Sequence, residues 1–224
     1  MYILGISCFY HDSSACLVKD GEIIAAAQEE RFSREKNTSA FPIHSIRFCL
    51  EKAGIDIKQI DHVAYFEKPF LKFARVIQDH LRSWPFSWPS FLRAMPKWLA
   101  GRLSLPLTIE EELGYTGPVY FIKHHLSHAA SSFYPSGFEE AAIITADGVG
   151  EWATFSTGVG RGRSIEVFNE IHYPNSLGLL YTAVTVFLGF DAHGGEGKLM
   201  GLAGYGSPER YRRQIRDVVK ISPD

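Results

Sequence analysis

Alternating apolar and polar positions open the chain. Residues 2–7 (Tyr-Ile-Leu-Gly-Ile-Ser) read as a strand, residues 15–18 as a second and residues 23–27 as a third. Asp20-Gly21 between the second and third is a tight-hairpin signal, because both residues tolerate positive φ. The three strands make an antiparallel meander whose first turn, residues 9–14, carries His11 and Asp12. The third strand ends in a charged run from Gln28 to Lys36. A helix follows over 43–53, with Ile43, Ile46, Leu50 and Ala53 on one face, Pro42 at its start and Gly54 at its close. Residues 60–66 read as a further strand.

Residues 68–107 change character. Phe70, Phe73, Trp84, Phe86, Trp88, Phe91 and Trp98 are interrupted by Pro85, Pro89 and Pro96 and by scattered basic residues. Short helices fit this pattern. Packing over one side of the core is the favoured role, a lid or partner surface the other. A β-branched and aromatic strand over 119–122 then leads into His124-His125-Leu126-Ser127-His128-Ala129-Ala130. A helix starting near His124 puts His124 and His128 one turn apart on the same face, with His125 pointing elsewhere.

Residues 141–171 repeat the organisation of residues 2–27: strand, polar turn, strand, glycine-containing turn, strand. Asp147 takes the strand-end position that Ser7 holds in the first copy. Such a duplication predicts two similar lobes facing each other across a cleft. A Leu-, Val- and Ala-rich helix over 177–189 comes next. Gly194, Gly195 and Gly197 then precede a helical run from Lys198 through Gly201 to Ala203. A glycine-rich helix start suits an anion, although a flexible connection capped by glycines fits the same residues. The last helix is expected over 208–221.

Composition narrows the class without changing this outline. The 224 residues suffice for one large domain or two lobes, and 46% hydrophobic content supports a sizeable core. A formal charge of −2 gives no electrostatic reason to expect nucleic acid. The three cysteines, Cys8, Cys16 and Cys49, form no disulfide framework and no CxxC pair. No signal peptide or membrane-length apolar run is legible, so a soluble, reduced, cytoplasmic protein is expected.

Two imidazoles and a carboxylate, from His124, His128 and Asp147, suit Fe(II), Zn(II) or Mn(II) with positions left open for substrate oxygen. A histidine-rich helix start bonding to nearby backbone is the plainer alternative, and Asp147 also fits a turn that caps itself. His11 fits either a general base or an exposed turn histidine.

Five motifs taken in order go further. They are Ile3-Leu4-Gly5-Ile6-Ser7 with Tyr10-His11-Asp12-Ser13-Ser14-Ala15, the run from Gln28 to Lys36, His124 to Ser131, Ala146-Asp147-Gly148-Val149-Gly150-Glu151, and Gly195 to Gly206. Over residues 2–207 the chain resembles the N-terminal domain of the O-carbamoyltransferases that act on nodulation factors and antibiotics. The resemblance implies an α/β, actin- and sugar-kinase-like (ASKHA, RNase H-like) fold, similar to the metalloprotein that makes threonylcarbamoyladenosine in tRNA. It implies a first lobe over 1–140 with a helical aromatic insertion at about 68–107, and the start of a second lobe over 141–224. The remainder of that lobe, a further aspartate ligand and a C-terminal YrdC-like domain are expected beyond residue 224.

The implied reaction joins ATP and carbamoyl phosphate into carbamoyl adenylate in the YrdC-like domain. The carbamoyl group then passes, at an iron or other divalent metal, to the hydroxyl of a sugar- or antibiotic-like acceptor. By position, His124, His128 and Asp147 match metal ligands and His11 the histidine that assists acceptor deprotonation. Gly194, Gly195, Glu196, Lys198 and Gly201 would lie near the nucleotide, and Lys36 would meet a substrate anion. This portion alone is expected to be inactive or to bind weakly. The alternative is a non-catalytic ASKHA-type nucleotide-binding module that regulates a partner.

Overall fold

A computed structural model describes residues 1–192 and 194–219, and its fold is α/β, the class expected. β1 (Tyr2–Ser7), β2 (Ser14–Lys19) and β3 (Glu22–Gln28) form the antiparallel meander. β4 (His62–Tyr65) and β5 (Val119–Phe121) extend the sheet in parallel, giving the order β3-β2-β1-β4-β5. Side-chain alternation in β1 sends Leu4 and Ile6 to one face, opposite Leu17 and Ala15 of β2. α1 (Glu30–Ser33) is a single turn, and α2 (Ile43–Ala53) lays Ile46 and Cys49 on the sheet's apolar face. Gly54 ends α2 in the left-handed conformation at φ 65°, donating to Leu50 and Glu51 carbonyls.

The charged run after β3 holds one buried carboxylate. Glu29 is 2% exposed, and its carboxylate accepts from the His44 and Ser45 N–H groups and from the Ser45 hydroxyl. It therefore caps α2, which receives no side-chain cap from Pro42.

The aromatic segment folds as α3 (Pro69–Arg82), α4 (Trp88–Lys97), a π-helical turn (Trp98–Arg102) and α5 (Leu105–Leu113). Trp98, Leu105 and Ile109 are buried, as a packing role requires. The rest departs from that expectation. Phe70, Trp84, Phe86 and Trp88 are exposed, whereas Lys72 and Arg75 of α3 are buried. α3 turns charges inward because partners await them there, and Phe91 of α4 packs on His80 of α3 and on Trp88.

α6 (His124–Phe133) begins where the pattern places it. β6 (Glu140–Ala146), β7 (Ala153–Arg161) and β8 (Ser164–His172) form the second antiparallel meander, in the order β6-β7-β8. Ala129 and Phe133 of α6 pack on Ile143 of β6, while the Ser127 hydroxyl donates to the Phe66 carbonyl just after β4. The histidine helix thus touches both sheets.

α7 (Leu177–Phe187) is capped by Ser176, which accepts from the Leu179 N–H. α8 (Glu196–Ala203) packs on α7. The last predicted helix divides into a 3-10 turn (Pro208–Tyr211) and α9 (Arg212–Val218), and its expected end at 220–221 lies outside the described residues. Among the described residues no helix is long and apolar enough to cross a membrane.

Candidate metal centre

β5 ends at Phe121, Lys123 stays extended, and His124 is the first helical residue of α6. One turn on, His128 projects to the same side. His124 Nε2 lies 2.7 Å from Asp147 Oδ2 and 3.0 Å from His128 Nε2. His128 Nε2 stands 3.8 Å from the same carboxylate oxygen. The three ligand atoms fall within 4.8 Å of one another. Atoms sharing a metal at about 2.1 Å stand roughly 3.0–3.4 Å apart, so the spacing needs only small adjustment to fit one divalent ion. Two imidazole nitrogens and a carboxylate oxygen are a donor set for borderline first-row metals. The Asp147 and His124 side chains are largely covered, and His128 is half exposed, which leaves one open side.

Asp147 follows β6 in a turn braced from several directions. Its Oδ1 accepts from the Gly148 N–H at 2.6 Å, while Oδ2 faces the histidines. The turn cap is therefore made by one carboxylate oxygen, and the other is left facing the two histidines. Ser176 Oγ donates to the Asp147 and Gly148 carbonyls. Gly178 of α7 sits so close that an added Cβ would lie 2.5 Å from the Asp147 carbonyl oxygen. Burial would raise the Asp147 carboxyl, but hydrogen bonds from His124 and His128 hold it well below the usual carboxylate range.

His125 turns into the second sheet, with Nδ1 2.6 Å from Thr145 Oγ1. Burial first, then the neighbouring His124, shifts the pKa of its imidazole downward.

The first-meander turn carries His11, whose Nδ1 is 2.7 Å from Asp12 Oδ2. A carboxylate at Nδ1 fixes the ring's orientation and tautomer. Tyr10 packs beside His11, its ring centroid 4.5 Å away. The Tyr10 phenol is shifted upward, by burial first and by the Asp147 charge second. The loop bearing Lys36 is laced to the same turn: Ser13 N–H donates to the Thr38 carbonyl and Phe9 N–H to the Ser39 carbonyl. Lys36 itself is exposed.

The glycine-rich segment stands one helix away. Gly195 is the N-cap of α8, and the Glu196 carboxylate accepts from the Gly194 N–H and the Thr182 hydroxyl. Lys198 and Gly201 are exposed on α8, which rests on α7, the helix whose Gly178 abuts the Asp147 turn. A separate groove of about 880 Å³ lies against the first sheet, lined by small residues including Gly5, Cys16 and Ala64. His11, His124, His128 and Asp147 do not line it.

Four buried charged residues to which the sequence assigned no role surround the site: Glu67, Lys72, Arg75 and Glu151. Lys72 Nζ is 2.5 Å from Glu67 Oε2 and 4.8 Å from the Tyr10 ring centroid. Arg75 Nε donates to the Glu151 carbonyl, and the Glu151 carboxylate accepts from the Lys68 and His124 N–H groups. The one available signal was Glu151 closing the Asp147-Gly148-Val149-Gly150-Glu151 motif.

The carbamoyltransferase N-terminus family matches residues 2–222. An uncharacterized protein of Synechocystis sp. is 48% identical, over 100% of this chain and 38% of its own length. Nodulation protein NolNO of Sinorhizobium fredii is 38% identical, over 91% of this chain and 29% of its own length. Among solved structures, YeaZ from Pseudomonas aeruginosa is similar, with a TM-score of 0.41, 12% identity, and coverage of 75% of this chain and 64% of that one. The chain thus spans well under half of the two relatives' lengths and belongs to the carbamoyltransferase N-terminus family.

Proposed function

We propose that this chain is the acceptor-side portion of a carbamoyltransferase that moves a carbamoyl group from carbamoyl adenylate to an acceptor hydroxyl. The observation that carries the reading is the convergence of His124 Nε2, His128 Nε2 and Asp147 Oδ2. These residues would hold Fe(II) or another divalent ion. Bound there, the ion would supply Lewis acidity toward a carbamoyl or phosphate oxygen.

The chain's own residues divide the remaining work. His11, oriented by Asp12, takes the proton of the acceptor hydroxyl. The acceptor oxygen bonds to the carbamoyl carbon, the carbon–oxygen bond to the adenylate phosphate breaks, and AMP leaves with that oxygen. Lys36 and Lys198 offer positive charge to the phosphate, and the Gly194–Gly201 segment borders the nucleotide. Residues 1–140 would be the first lobe, with the 68–107 insertion beside the site, and the part of the chain from residue 141 would be the start of an incomplete second lobe. The greater length of the relatives leaves room for the remainder of the second lobe and for a YrdC-like domain. ATP and carbamoyl phosphate are the co-substrates of that domain, and a sugar- or antibiotic-like hydroxyl is the acceptor class.

The test is a single-turnover reaction of the full-length parent protein with carbamoyl adenylate, Fe(II) and a panel of hydroxylated acceptors. AMP release with acceptor carbamoylation, lost in His128→Ala and slowed in His11→Ala, is the expected result. Undiminished transfer by His128→Ala overturns the reading.

A further inference from the structure

Glu151 closes the turn that begins at Asp147, and its side chain is buried, with the residue 6% exposed. Its Oε1 accepts from the Lys68 N–H at 2.7 Å and from the His124 N–H at 3.1 Å, and Oε2 stands 3.2 Å from the same His124 nitrogen. Its carbonyl accepts from Arg75 Nε at 2.7 Å. Lys68 is the N-cap of α3 and His124 the first residue of α6, and neither helix has a side-chain cap from its own N-cap residue. One carboxylate therefore serves the N-terminal ends of two helices, where unpaired N–H groups and positive dipole ends favour an anion.

A second observation gives this arrangement a role in the site. Ligating histidines are ordinarily oriented by a hydrogen bond at their other ring nitrogen. His124 Nδ1 is buried and has no such partner among the described residues. Beyond the Nε2 contacts to Asp147 and His128, its orientation comes from its main chain and its packing. Glu151 holds the His124 N–H, and Gly150 lies so near that an added Cβ would stand 3.1 Å from His124 Cβ.

We propose that Glu151 is a positioning residue for the metal centre. It fixes His124 through the main chain and ties it to the turn that presents Asp147, so that ligands from two separate segments meet. Through Lys68 and Arg75 the same residue couples the aromatic insertion to the site. This inference rests on the metal-centre reading above.

The test titrates Co(II), alone, into the full-length parent protein and follows both affinity and the visible d–d band of the bound ion. Glu151→Gln keeps the volume but sets an NH₂ donor against one of the two N–H donors. Its dissociation constant should rise about tenfold, as outer-shell changes typically produce, with a shifted band. Glu29→Gln is the control, because Glu29 is an equally buried carboxylate that caps a different helix. Its Co(II) affinity and band should match wild type. Unchanged Glu151→Gln binding, or an equal loss in Glu29→Gln, overturns the inference while leaving the metal centre intact. A wild-type protein that binds no Co(II) overturns both.

Discussion

Arg102 donates from Nε at 2.9 Å and from Nη2 at 2.6 Å to the carbonyl of Phe9, two residues ahead of His11. Phe9 has a positive φ of 67°, a conformation that a bulky side chain adopts only when its surroundings hold it there. The same guanidinium stacks over the Trp98 ring at 4.7 Å. Arg102 of the aromatic segment thus clamps the turn that carries His11. Arg102→Ala should destabilise the fold by about 1.5–3 kcal/mol, the range for hydrogen bonds to a charged group. Arg102→Lys should recover only part, because one ammonium lacks the planar fork. Urea unfolding of the two variants checks this.

The Lys72–Glu67 pair gives a different signature. Both side chains are buried, so removing one partner strands a charge. Lys72→Met should cost about 3–5 kcal/mol, whereas replacing both partners with Lys72→Met and Glu67→Gln should recover much of the loss. A double-mutant cycle in urea measures the coupling. Additive losses would contradict a buried pair.

Glu29 links stability to pH. Burial would raise its carboxyl, but hydrogen bonds from Ser45 and His44 lower it below the ordinary value of 4.5. A carboxyl lowered in the folded state contributes stability that is complete above the unfolded value and lost as pH falls through the folded one. Stability should therefore decline below about pH 4.5, and Glu29→Gln should flatten part of that slope. Unfolding free energies measured across pH 3–7 on both proteins decide the matter.

Local pattern made several features legible. Pro42 and Gly54 bracket α2 because each acts through its own backbone, and the start of α6 follows from the strand before it. His124 and His128 lie within one helical turn, so their meeting was readable from spacing. Asp147 came from the repeated strand pattern.

The buried charges were illegible for the converse reason. Lys68 and Arg75 find Glu151 across 83 and 76 residues, distances over which no periodicity carries information. Lys72 and Arg75 are two of the basic residues scattered through the aromatic segment, with no local partner in the sequence to mark them as buried. Only the fold, by bringing Glu67, Tyr10 and Glu151 to that side of α3, makes the charged face the inner one. The burial of Glu29 was illegible for the same reason, since the N–H groups it caps lie 15 and 16 residues on.

The most direct measurement is a Fe(II) or Mn(II) titration of the full-length parent protein beside His128→Ala and Asp147→Asn. The account predicts one ion per site in wild type, with affinity falling by at least about tenfold in each variant. Wild-type binding that both variants retain undiminished would place the metal elsewhere and contradict the account.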